Sequence, residues 1–431
     1  MRILMISDHS DPLADIGSKE AGGQNIYVYY LARFLARSGV FVDIYTRWDR
    51  KTKKEIRTIN HHVRVIRVKA GPKRYLPKEQ FLTVLDEFTN NIMRRMEREN
   101  IQYDLIHTNY WYSGLAGLAI AKKYGLPHYH VYHSLGQIRR DTLQNYNKLG
   151  NGLVLYEERN ASEEKIAKEA TGIIATSPVE KDTIIKLFNV NPGKISVIPI
   201  GVDQKIFYPR NYYRVRRRLR ISEDEKVLLY VGRIEWRKGI NTLLFAFQSV
   251  LKQYPRSRLV IIGGGKTDSV KRLEIEDINR QQQLISELGL GNHVAHLGPK
   301  PQKELPYYYS AADVCVVPSY YEPFGIVPLE SMACGTPVVA SRTGGLQYTV
   351  QDRITGRLAE VRNQADLAEK LTDVLENGKL YYSNKCVERV DKLFNWEKIS
   401  KQYIYHFNRH IDRKENHADS NAGPVRRTGT A

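Results

Sequence analysis

The sequence predicts an α/β protein with two doubly wound domains, each a parallel sheet covered by helices on both faces. Three observations lead to this prediction. Short, apolar, β-branched runs alternate with longer helical patterns along the chain, as parallel α/β sheets require. The alternation stops and restarts at Ile200-Gly-Val-Asp203. The 431 residues suit two domains of about 200 residues each.

The first half of the chain alternates strand and helix patterns up to the break. Helical patterns cover residues 24–37 and 78–99, so residues 1–202 are predicted to form the N-terminal domain. The predicted strands are 3–6, 42–45, 63–68, 105–107, 128–132, 173–176 and 195–198.

The second half repeats the pattern over residues 203–395, the predicted C-terminal domain. A helical pattern covers 238–253, and the predicted strands are 227–231, 259–262, 294–296, 314–317 and 338–340. A last helix over 396–412 is expected to pack back onto the N-terminal domain. Residues 413–431 are polar with almost no apolar content, which predicts a disordered tail. Ligands of such sheets bind at the carboxyl ends of the strands, so we expect the site in the cleft between the domains.

The chain is basic, with 66 Lys and Arg against 47 Asp and Glu, a net charge of +19. This balance favours anionic partners, either nucleic acid, an acidic membrane surface or phosphorylated small molecules, and leaves open a solvated surface with no specific partner. The run 214–220 holds five arginines. Such a run could bind nucleic acid or anionic lipid. We favour the interpretation of a solvated helix near the start of the second domain.

Cysteine usage and hydropathy predict a cytoplasmic protein. The chain has three widely spaced cysteines, Cys315, Cys334 and Cys386, which gives neither a disulfide framework nor zinc-ligand spacing. The apolar run at the N-terminus is too short for a signal peptide. No segment approaches the roughly 18 apolar residues of a membrane span.

Glu322 and Glu330 lie on either side of a predicted strand-to-helix turn. The strand ends near Pro318, and Pro328 suits the first turn of the following helix. This arrangement puts Glu322 in the loop and Glu330 in the first helical turn. The two carboxylates then share no helical face, which argues against the acid/base pair of a glycosidase. The helix N-terminus instead suits an anion such as a diphosphate.

Arg233 and Lys238 occupy a second loop at a predicted strand end. The strand ends at Val231 and the next helix begins near Lys238. Two cations in this position can neutralise a diphosphate leaving group. Gly263-Gly-Gly-Lys266 is not a Walker A loop, because Val260 stands where its first glycine belongs, and the chain contains no Gly-x-Gly-x-x-Gly. Adenylate-driven and dinucleotide-dependent chemistry are therefore disfavoured.

The segment Glu322-Pro-Phe-Gly-x-x-x-x-Glu330, followed by Ala333-Cys-Gly-Thr-Pro-Val-Val-Ala340 and Gly344-Gly345, resembles the donor-site signature of retaining GT-B glycosyltransferases of the family 4 type. The resemblance implies the GT-B fold, a nucleotide-sugar donor and retention of configuration. It gives Glu322 the hydroxyls of the transferred sugar and Glu330 the ribose. Arg233 and Lys238 would neutralise the diphosphate, and no metal or cofactor is required, although Mg²⁺ could stimulate. The further donor-binding candidates are Gly23, Gly264, Lys300, Phe324, Gly325, Ile326 and Val327.

The N-terminal half resembles the enzymes of this family that use phosphorylated acceptors. Gly22-Gly-Gln24 with Tyr45-Thr-Arg47 is similar to sucrose-phosphate synthases, sucrose synthases and inositol-phosphate glycosyltransferases. His133-Ser-Leu-Gly136 is closest in pattern to the sucrose-phosphate synthases, in which the histidine lies over the transferred sugar. The acceptor-binding candidates are Gln24, Lys78, Tyr110, Ser134 and Arg159, the last four forming a cationic, hydroxyl-bearing group suited to a phosphate.

The resemblance therefore implies transfer of glucose from UDP-glucose to fructose 6-phosphate. Transfer to inositol phosphate, or to a neutral or lipid-linked acceptor, remains open, and so does the donor base among UDP, ADP and GDP. A basic protein that binds nucleic acid or membranes is the alternative from another class. We expect neither nucleic acid nor a stable membrane association, and the sequence does not indicate an oligomeric state.

Overall fold

Two mainly parallel sheets organise the chain in the computed structural model, which describes residues 1–14, 22–145, 153–264 and 272–421. The strands are β1 (Arg2–Ile6), β2 (Phe41–Arg47), β3 (Ile56–Asn60), β4 (Val63–Val68), β5 (Leu105–Asn109), β6 (His128–Val131), β7 (Gly172–Ala175), β8 (Ile195–Val197), β9 (Lys226–Val231), β10 (Ser257–Ile262), β11 (Val294–His296), β12 (Val314–Val317), β13 (Val338–Ser341) and β14 (Gly356–Ala359). The helices are α1 (Gly23–Arg37), α2 (Leu85–Arg98), α3 (Trp111–Tyr124), α4 (Gly136–Asn145), α5 (Leu153–Glu169), α6 (Pro178–Phe188), α7 (Tyr212–Leu219), α8 (Ile240–Gln253), α9 (Arg272–Glu287), α10 (Leu305–Ala311), α11 (Ile326–Ala333), α12 (Leu346–Thr349), α13 (Gln364–Asn377), α14 (Lys379–Leu393) and α15 (Trp396–Asn421).

The N-terminal sheet has the strand order β3-β4-β2-β1-β5-β6-β7-β8 within the described residues. All neighbours pair in parallel except β3, which runs antiparallel to β4 at the sheet edge. Every strand predicted in this half is present. The sequence analysis missed β3, because an exposed edge strand with Arg57, Thr58 and Asn60 lacks a continuous apolar run.

The C-terminal sheet has the order β11-β10-β9-β12-β13-β14, all parallel, among the residues that the structure describes. Its central strands are apolar and buried, which explains why the sequence predicts them. It does not predict β14, whose four residues Gly-Arg-Leu-Ala are too few and too mixed. The architecture is the predicted one, two doubly wound sheets with helices on both faces.

Helix boundaries differ from prediction at three places. Residues Lys78–Val84 form a 3₁₀ helix before α2, and Trp236–Lys238 form a 3₁₀ turn before α8. In the third case α15 continues to Asn421 into the predicted disordered tail, and residues 422–431 lie outside the described part. The added turns contain Glu, Lys and Ala, which favour helix, and the first glycine beyond them is Gly423.

The C-terminal helix packs back onto the N-terminal domain. The hydroxyl groups of Tyr27 on α1 and Tyr403 on α15 lie 2.5 Å apart. The chain passes between the sheets twice, and the two crossings lie side by side, because the Val202 amide donates to the Phe394 carbonyl at 2.8 Å. Trp396 is buried there. Among the described helices, none has the length and apolar composition needed to cross a bilayer, and the cytoplasmic location stays a prediction.

The basic run lies within α7 and at its C-terminal end, and one of its arginines is buried, which corrects the prediction of a solvated helix. Arg216 is completely buried, with its guanidinium 2.6 Å from the Asp313 carboxylate. It also donates to the carbonyls of Ala311 and Glu225. This side chain therefore ties α7 to the C-terminal sheet, while Arg214, Arg217 and Arg218 are exposed.

Gly201 lies where both chain crossings pack against Trp396, which makes its substitution a test of this junction. A Cβ on Gly201 would lie 2.6 Å from the indole, and the rigid ring cannot rotate away. We expect Gly201→Ala to lower the free energy of unfolding by about 1–3 kcal/mol, measured by chemical denaturation. Gly291→Ala is the matched control, because a Cβ there meets nothing within 4 Å. Equal stability of the two variants would contradict the packing.

Candidate active site

The carboxyl ends of the two sheets face each other, and two helix N-termini meet in the cleft between them. Helix α1 begins at Gly23 and α11 at Ile326. A Cβ on Gly23 would lie 3.5 Å from the Ile326 Cδ1 atom, so the two helix starts are in near contact. Free N–H groups and the positive ends of two dipoles therefore point into one space, which suits an anion.

Lys238 and Glu322 form an ion pair on the C-terminal side of the cleft. The Lys238 Nζ lies 2.5 Å from the Glu322 Oε2, and each side chain is 18% exposed. Burial acts to raise the pKa of Glu322, but Lys238, followed by Arg237 and Arg233, outweighs it and lowers that pKa below its ordinary value. Glu322 is therefore an ionised hydrogen-bond acceptor whose charge is already paired.

Glu235 holds two arginines in the same loop. Its carboxylate lies 2.7 Å from the Arg233 guanidinium and 2.6 Å from that of Arg237. Burial opposes ionisation of Glu235, but Arg237, Arg233 and Lys238 lower its pKa to about 2, with a contribution from Arg139 across the cleft. The sequence analysis missed Glu235 and Arg237, although both lie inside its motif. The alternation of opposite charges there is the signal that could have found them.

Close backbone contacts fix both donor-side loops. A Cβ on Gly344 would lie 2.2 Å from the Glu322 carbonyl oxygen, and one on Gly263 would lie 1.6 Å from that of Gly232. Only glycine fits either position. The Gly263 amide also donates to the Gly298 carbonyl at 3.1 Å, which brings the Lys300 loop beside Gly264. Gly265 and Lys266 lie outside the described residues.

Glu330 lies beyond the first turn of α11, which corrects the predicted position. The helix starts at Ile326, so Glu330 falls in the next turn, where it is buried. Its carboxylate accepts a hydrogen bond from the Tyr309 hydroxyl at 2.9 Å. Burial raises the pKa of Glu330 to about 7.

The other predicted donor residues lie around the start of α11. Gly325 is its N-cap, and Ile326 and Val327 are half-buried at its first turn. The Phe324 ring is not available to a donor ligand, because it is buried and packs edge-on to the Phe394 ring, with 6.1 Å between the ring centres. Any contribution of Phe324 to a ligand is therefore through its backbone.

The predicted acceptor residues come together on the N-terminal side. The Arg159 guanidinium donates to the Ser134 Oγ at 3.0 Å and to the Tyr110 hydroxyl at 3.3 Å. The Lys78 Nζ lies 5.5 Å from the centre of the Tyr110 ring. Lys78, Tyr110, Ser134 and Arg159 thus form one group, which we call the acceptor cluster.

Glu163, which the sequence analysis missed, orients the arginine of the acceptor cluster. Its carboxylate accepts from the Arg159 Nε at 2.7 Å and from the Gly136 amide at 2.8 Å. Both side chains are buried, and a buried cation needs such a partner. The spacing of four residues on α5 places them on one helical face.

His133 lies at the bottom of the cleft in a strained backbone conformation, with φ at 59°. Its Nε2 lies 2.9 Å from the Asn109 Oδ1, so Nε2 carries the proton in this tautomer. Burial, with smaller contributions from nearby His107 and His9, lowers the pKa of His133 to about 3, so the ring is neutral at ordinary pH. The Gln24 amide donates to the Asn109 carbonyl at 3.4 Å. Asn109 therefore connects two predicted site residues.

Arg47 determines the conformation of the loop that leads to Lys78. Its guanidinium donates to the Ala70 carbonyl at 2.7 Å, to the Arg74 carbonyl at 2.9 Å and to the Pro72 carbonyl. The backbone of Lys78 is also fixed, since its carbonyl accepts a hydrogen bond from the Tyr112 hydroxyl. The sequence analysis noted Arg47 only as part of a resemblance, because its carbonyl partners depend on the folded loop.

Two α/β domains with cations and helix N-termini on one side of a cleft, and a buried cationic cluster on the other, define a GT-B glycosyltransferase. Residues 21–205 match the family model described as Glycosyltransferase Family 4, and residues 213–392 match Glycosyl transferases group 1. The chain belongs to these glycosyltransferases.

Named relatives agree on the family and differ in acceptor. The chain is 37% identical to a D-inositol 3-phosphate glycosyltransferase of Corynebacterium jeikeium, over 86% of this chain and 87% of that one. It is 35% identical to the protein of that name from Corynebacterium diphtheriae, over 88% and 87%. Among solved structures it is similar to the sucrose-phosphate synthase of Thermosynechococcus elongatus, with 36% identity, a TM-score of 0.86, and coverage of 96% and 99%.

The raised pKa of Glu330 predicts a pH dependence of stability. Between the ordinary value of 4.5 and about 7 the folded protein holds a proton that the unfolded chain releases. The free energy of unfolding should therefore fall as pH rises through this window, by about 3 kcal/mol. Glu330→Gln should flatten that part of the profile in chemical denaturation at several pH values.

The control for this experiment is Glu369→Gln, a substitution of an exposed carboxylate on α13. It should keep the wild-type profile. A Glu330→Gln variant with the wild-type slope would show that Glu330 is not the group responsible.

Proposed function

We propose that the protein transfers glucose from UDP-glucose to fructose 6-phosphate with retention of configuration, giving sucrose 6-phosphate and UDP. The acceptor cluster is the observation that carries this proposal. Arg159 and Lys78 supply positive charge, and Ser134 and Tyr110 supply hydroxyl donors. Charge-assisted hydrogen bonds of this kind suit a phosphate monoester. Similarity to a sucrose-phosphate synthase over nearly the whole chain supports the choice of ketose.

Inositol phosphate is the second candidate acceptor, and the named relatives from Corynebacterium favour it. The acceptor cluster serves this candidate equally well, because it recognises a phosphate rather than the ring that carries it. The two functions share the phosphate contact and differ in the hydroxyl that attacks.

The charge distribution favours a front-face displacement. The bond between the anomeric carbon and the diphosphate oxygen breaks while the acceptor oxygen bonds on the same face, and the departing oxygen takes the hydroxyl proton. Arg233 and Lys238 stabilise the negative charge that develops on the leaving group. Glu322 is already paired with Lys238, so it suits hydrogen bonding to sugar hydroxyls better than nucleophilic attack.

Neutral His133 fits this mechanism as a hydrogen-bonding group. With Nε2 directed to Asn109, its other ring nitrogen is an acceptor. In this role the ring would orient a hydroxyl of the transferred sugar or of the acceptor, without taking up a net charge. Glu330, which accepts a hydrogen bond from Tyr309, would hold the ribose. Gly264 and Lys300 would contact the base.

Replacement of Lys238 tests the donor side. We expect Lys238→Ala to lower kcat by about 100-fold to 1,000-fold, because one stabilising charge is lost from the transition state. UDP release with saturating UDP-glucose gives the rate. Lys238→Gln serves as a second variant, since its side-chain amide can still donate a hydrogen bond to Glu322. A slow but correctly folded Lys238→Gln protein would show that the rate falls because the charge is lost and not because the protein is misfolded.

Lys252→Ala is the matched control, because Lys252 is exposed at the far end of α8. It should leave kcat unchanged. A correctly folded Lys238→Gln protein with near-normal turnover would refute the proposed role of this charge.

An acceptor panel tests the other side. Release of the nucleoside diphosphate is measured with fructose 6-phosphate, fructose, inositol phosphate and inositol as acceptors. The donors are UDP-, ADP- and GDP-glucose, which release UDP, ADP and GDP, each with and without Mg²⁺. We expect the phosphorylated acceptors to react at least about 100-fold faster, since a charged phosphate contact contributes roughly 3 kcal/mol. Lys78→Ala should abolish most of this preference by raising KM for the acceptor.

Lys69→Ala, an exposed lysine just beyond β4, is the control and should keep the preference. Faster turnover with inositol phosphate than with fructose 6-phosphate would select the second candidate. Equal rates with fructose and its phosphate would refute the phosphate site altogether.

A further inference from the structure

Helix α7 exposes a basic and aromatic face on the C-terminal domain. Val215 and Arg216 point inward and are buried, whereas Tyr213, Arg214, Arg217 and Arg218 are exposed. The exposed residues are spaced four apart in two adjacent rows, so they share one side of the helix. Tyr213 is 58% exposed.

Neighbouring segments extend this face with more arginine and aromatic groups. The Arg218 guanidinium lies 4.2 Å from the centre of the Tyr307 ring, and Arg210 lies between the rings of Tyr307, at 4.7 Å, and Tyr208, at 4.2 Å. Tyr208 is itself 47% exposed.

The start of α14 adjoins α7 and adds exposed apolar area. The Lys379 Nζ lies 5.5 Å from the centre of the Tyr212 ring. The next residue, Leu380, is 90% exposed, and Tyr381 is 53% exposed. A leucine this exposed at a helix start contributes nothing to the core. We name the whole surface the α7 face; it consists of Tyr208, Arg210, Tyr213, Arg214, Arg217, Arg218, Tyr307, Leu380 and Tyr381.

The arginines of this face are not neutralised within the described chain. No described carboxylate lies within ion-pair distance of Arg214, Arg217 or Arg218, in contrast to Arg216 with its partner Asp313. Helix α7 contains no acidic residue. The positive charge is therefore available to an external anion.

The α7 face lies at the edge of the C-terminal sheet opposite the cleft. Arg216 contacts Asp313, which immediately precedes β12, and the carbonyl of Glu225, which immediately precedes β9. Lys379 donates to the Ala312 carbonyl at the same edge. Both helices thus pack at the amino ends of the strands, whereas Arg233, Lys238 and Glu322 lie at the carboxyl ends. A partner on this face leaves the cleft open.

We propose that the α7 face docks the protein on the surface of an anionic lipid bilayer. Arginine forks bind lipid phosphates, tyrosines suit the interface between water and hydrocarbon, and exposed Leu380 can enter the acyl boundary. Clusters of basic residues beside apolar ones on a helix are typical of such peripheral contacts. Leu380 favours a bilayer over nucleic acid, because a duplex offers no apolar layer for it to enter. Peripheral docking of this kind is reversible and weakened by salt.

Cosedimentation with vesicles tests this proposal on the full-length protein. Vesicles of phosphatidylcholine with phosphatidylglycerol should bind it at low ionic strength, and vesicles of phosphatidylcholine alone should not. The triple variant Arg214→Gln, Arg217→Gln, Arg218→Gln should bind the anionic vesicles about 100-fold more weakly. Leu380→Ser should weaken binding about tenfold. Both should keep wild-type UDP release, which shows that they fold.

The matched control removes the same charge elsewhere, with Lys51→Gln, Arg57→Gln and Lys122→Gln on exposed positions of the N-terminal domain. It should bind like the wild type. Equal loss in the control and the α7 variant would overturn the proposal, because net charge alone would then explain binding. Binding to neutral vesicles as strong as to anionic ones would also overturn it. Tighter binding to duplex DNA at matched salt, unaffected by Leu380→Ser, would replace the bilayer with nucleic acid.

Discussion

The pairing of buried charge on each side of the cleft is the constraint on which the candidate site depends. Removing a cation from water costs several kcal/mol unless a partner compensates. Lys238 lies against Glu322, and Arg159 against Glu163, at 2.5 and 2.7 Å. Because each carboxylate fixes its cation in position, the site is organised before substrate arrives. A phosphate then meets preoriented donors instead of mobile surface side chains, and this preorganisation is the main source of electrostatic catalysis.

The fold provides this arrangement through the edges of its two sheets. Parallel strands end at one edge, so the loops after β1, β5 and β6 bring Gly23, Tyr110 and His133 together, while those after β9 and β12 bring Arg233 and Glu322 opposite them. The N-termini of α1 and α11 add two positive dipole ends. The side-by-side crossings at Val202 and Asn395, with α15 packed on α1, form a junction between the halves. Such a junction suits closure of the domains around a substrate.

Residues whose function is local in sequence were predictable, and those defined by a tertiary partner were not. Buried strands such as β9 and β12 follow from apolar runs, whereas the edge strand β3 has no such run. Arg233, Lys238 and Glu322 could be predicted from loop position and motif. Asn109 and Arg47 act through partners distant in sequence, such as the Ala70 carbonyl for Arg47. Glu163 lies four residues from Arg159 on α5, but its second partner, the Gly136 amide, is 27 positions away. The same limit explains Arg216, whose burial depends on Asp313, 97 positions away.

The hydrogen bonds around Arg159 explain why fructose 6-phosphate and inositol phosphate are both candidate acceptors. Arg159 already donates to Glu163, Ser134 and Tyr110, so an incoming phosphate must share or replace these bonds, and Lys78 supplies the remaining charge. In the proposed function all of these groups would contact the phosphate, which fructose 6-phosphate and inositol phosphate have in common. Discrimination must therefore come from groups that face the acceptor ring. Gln24 and His133, joined through Asn109, are our candidates, because a ring hydroxyl left unpaired there costs binding energy and a matched one does not.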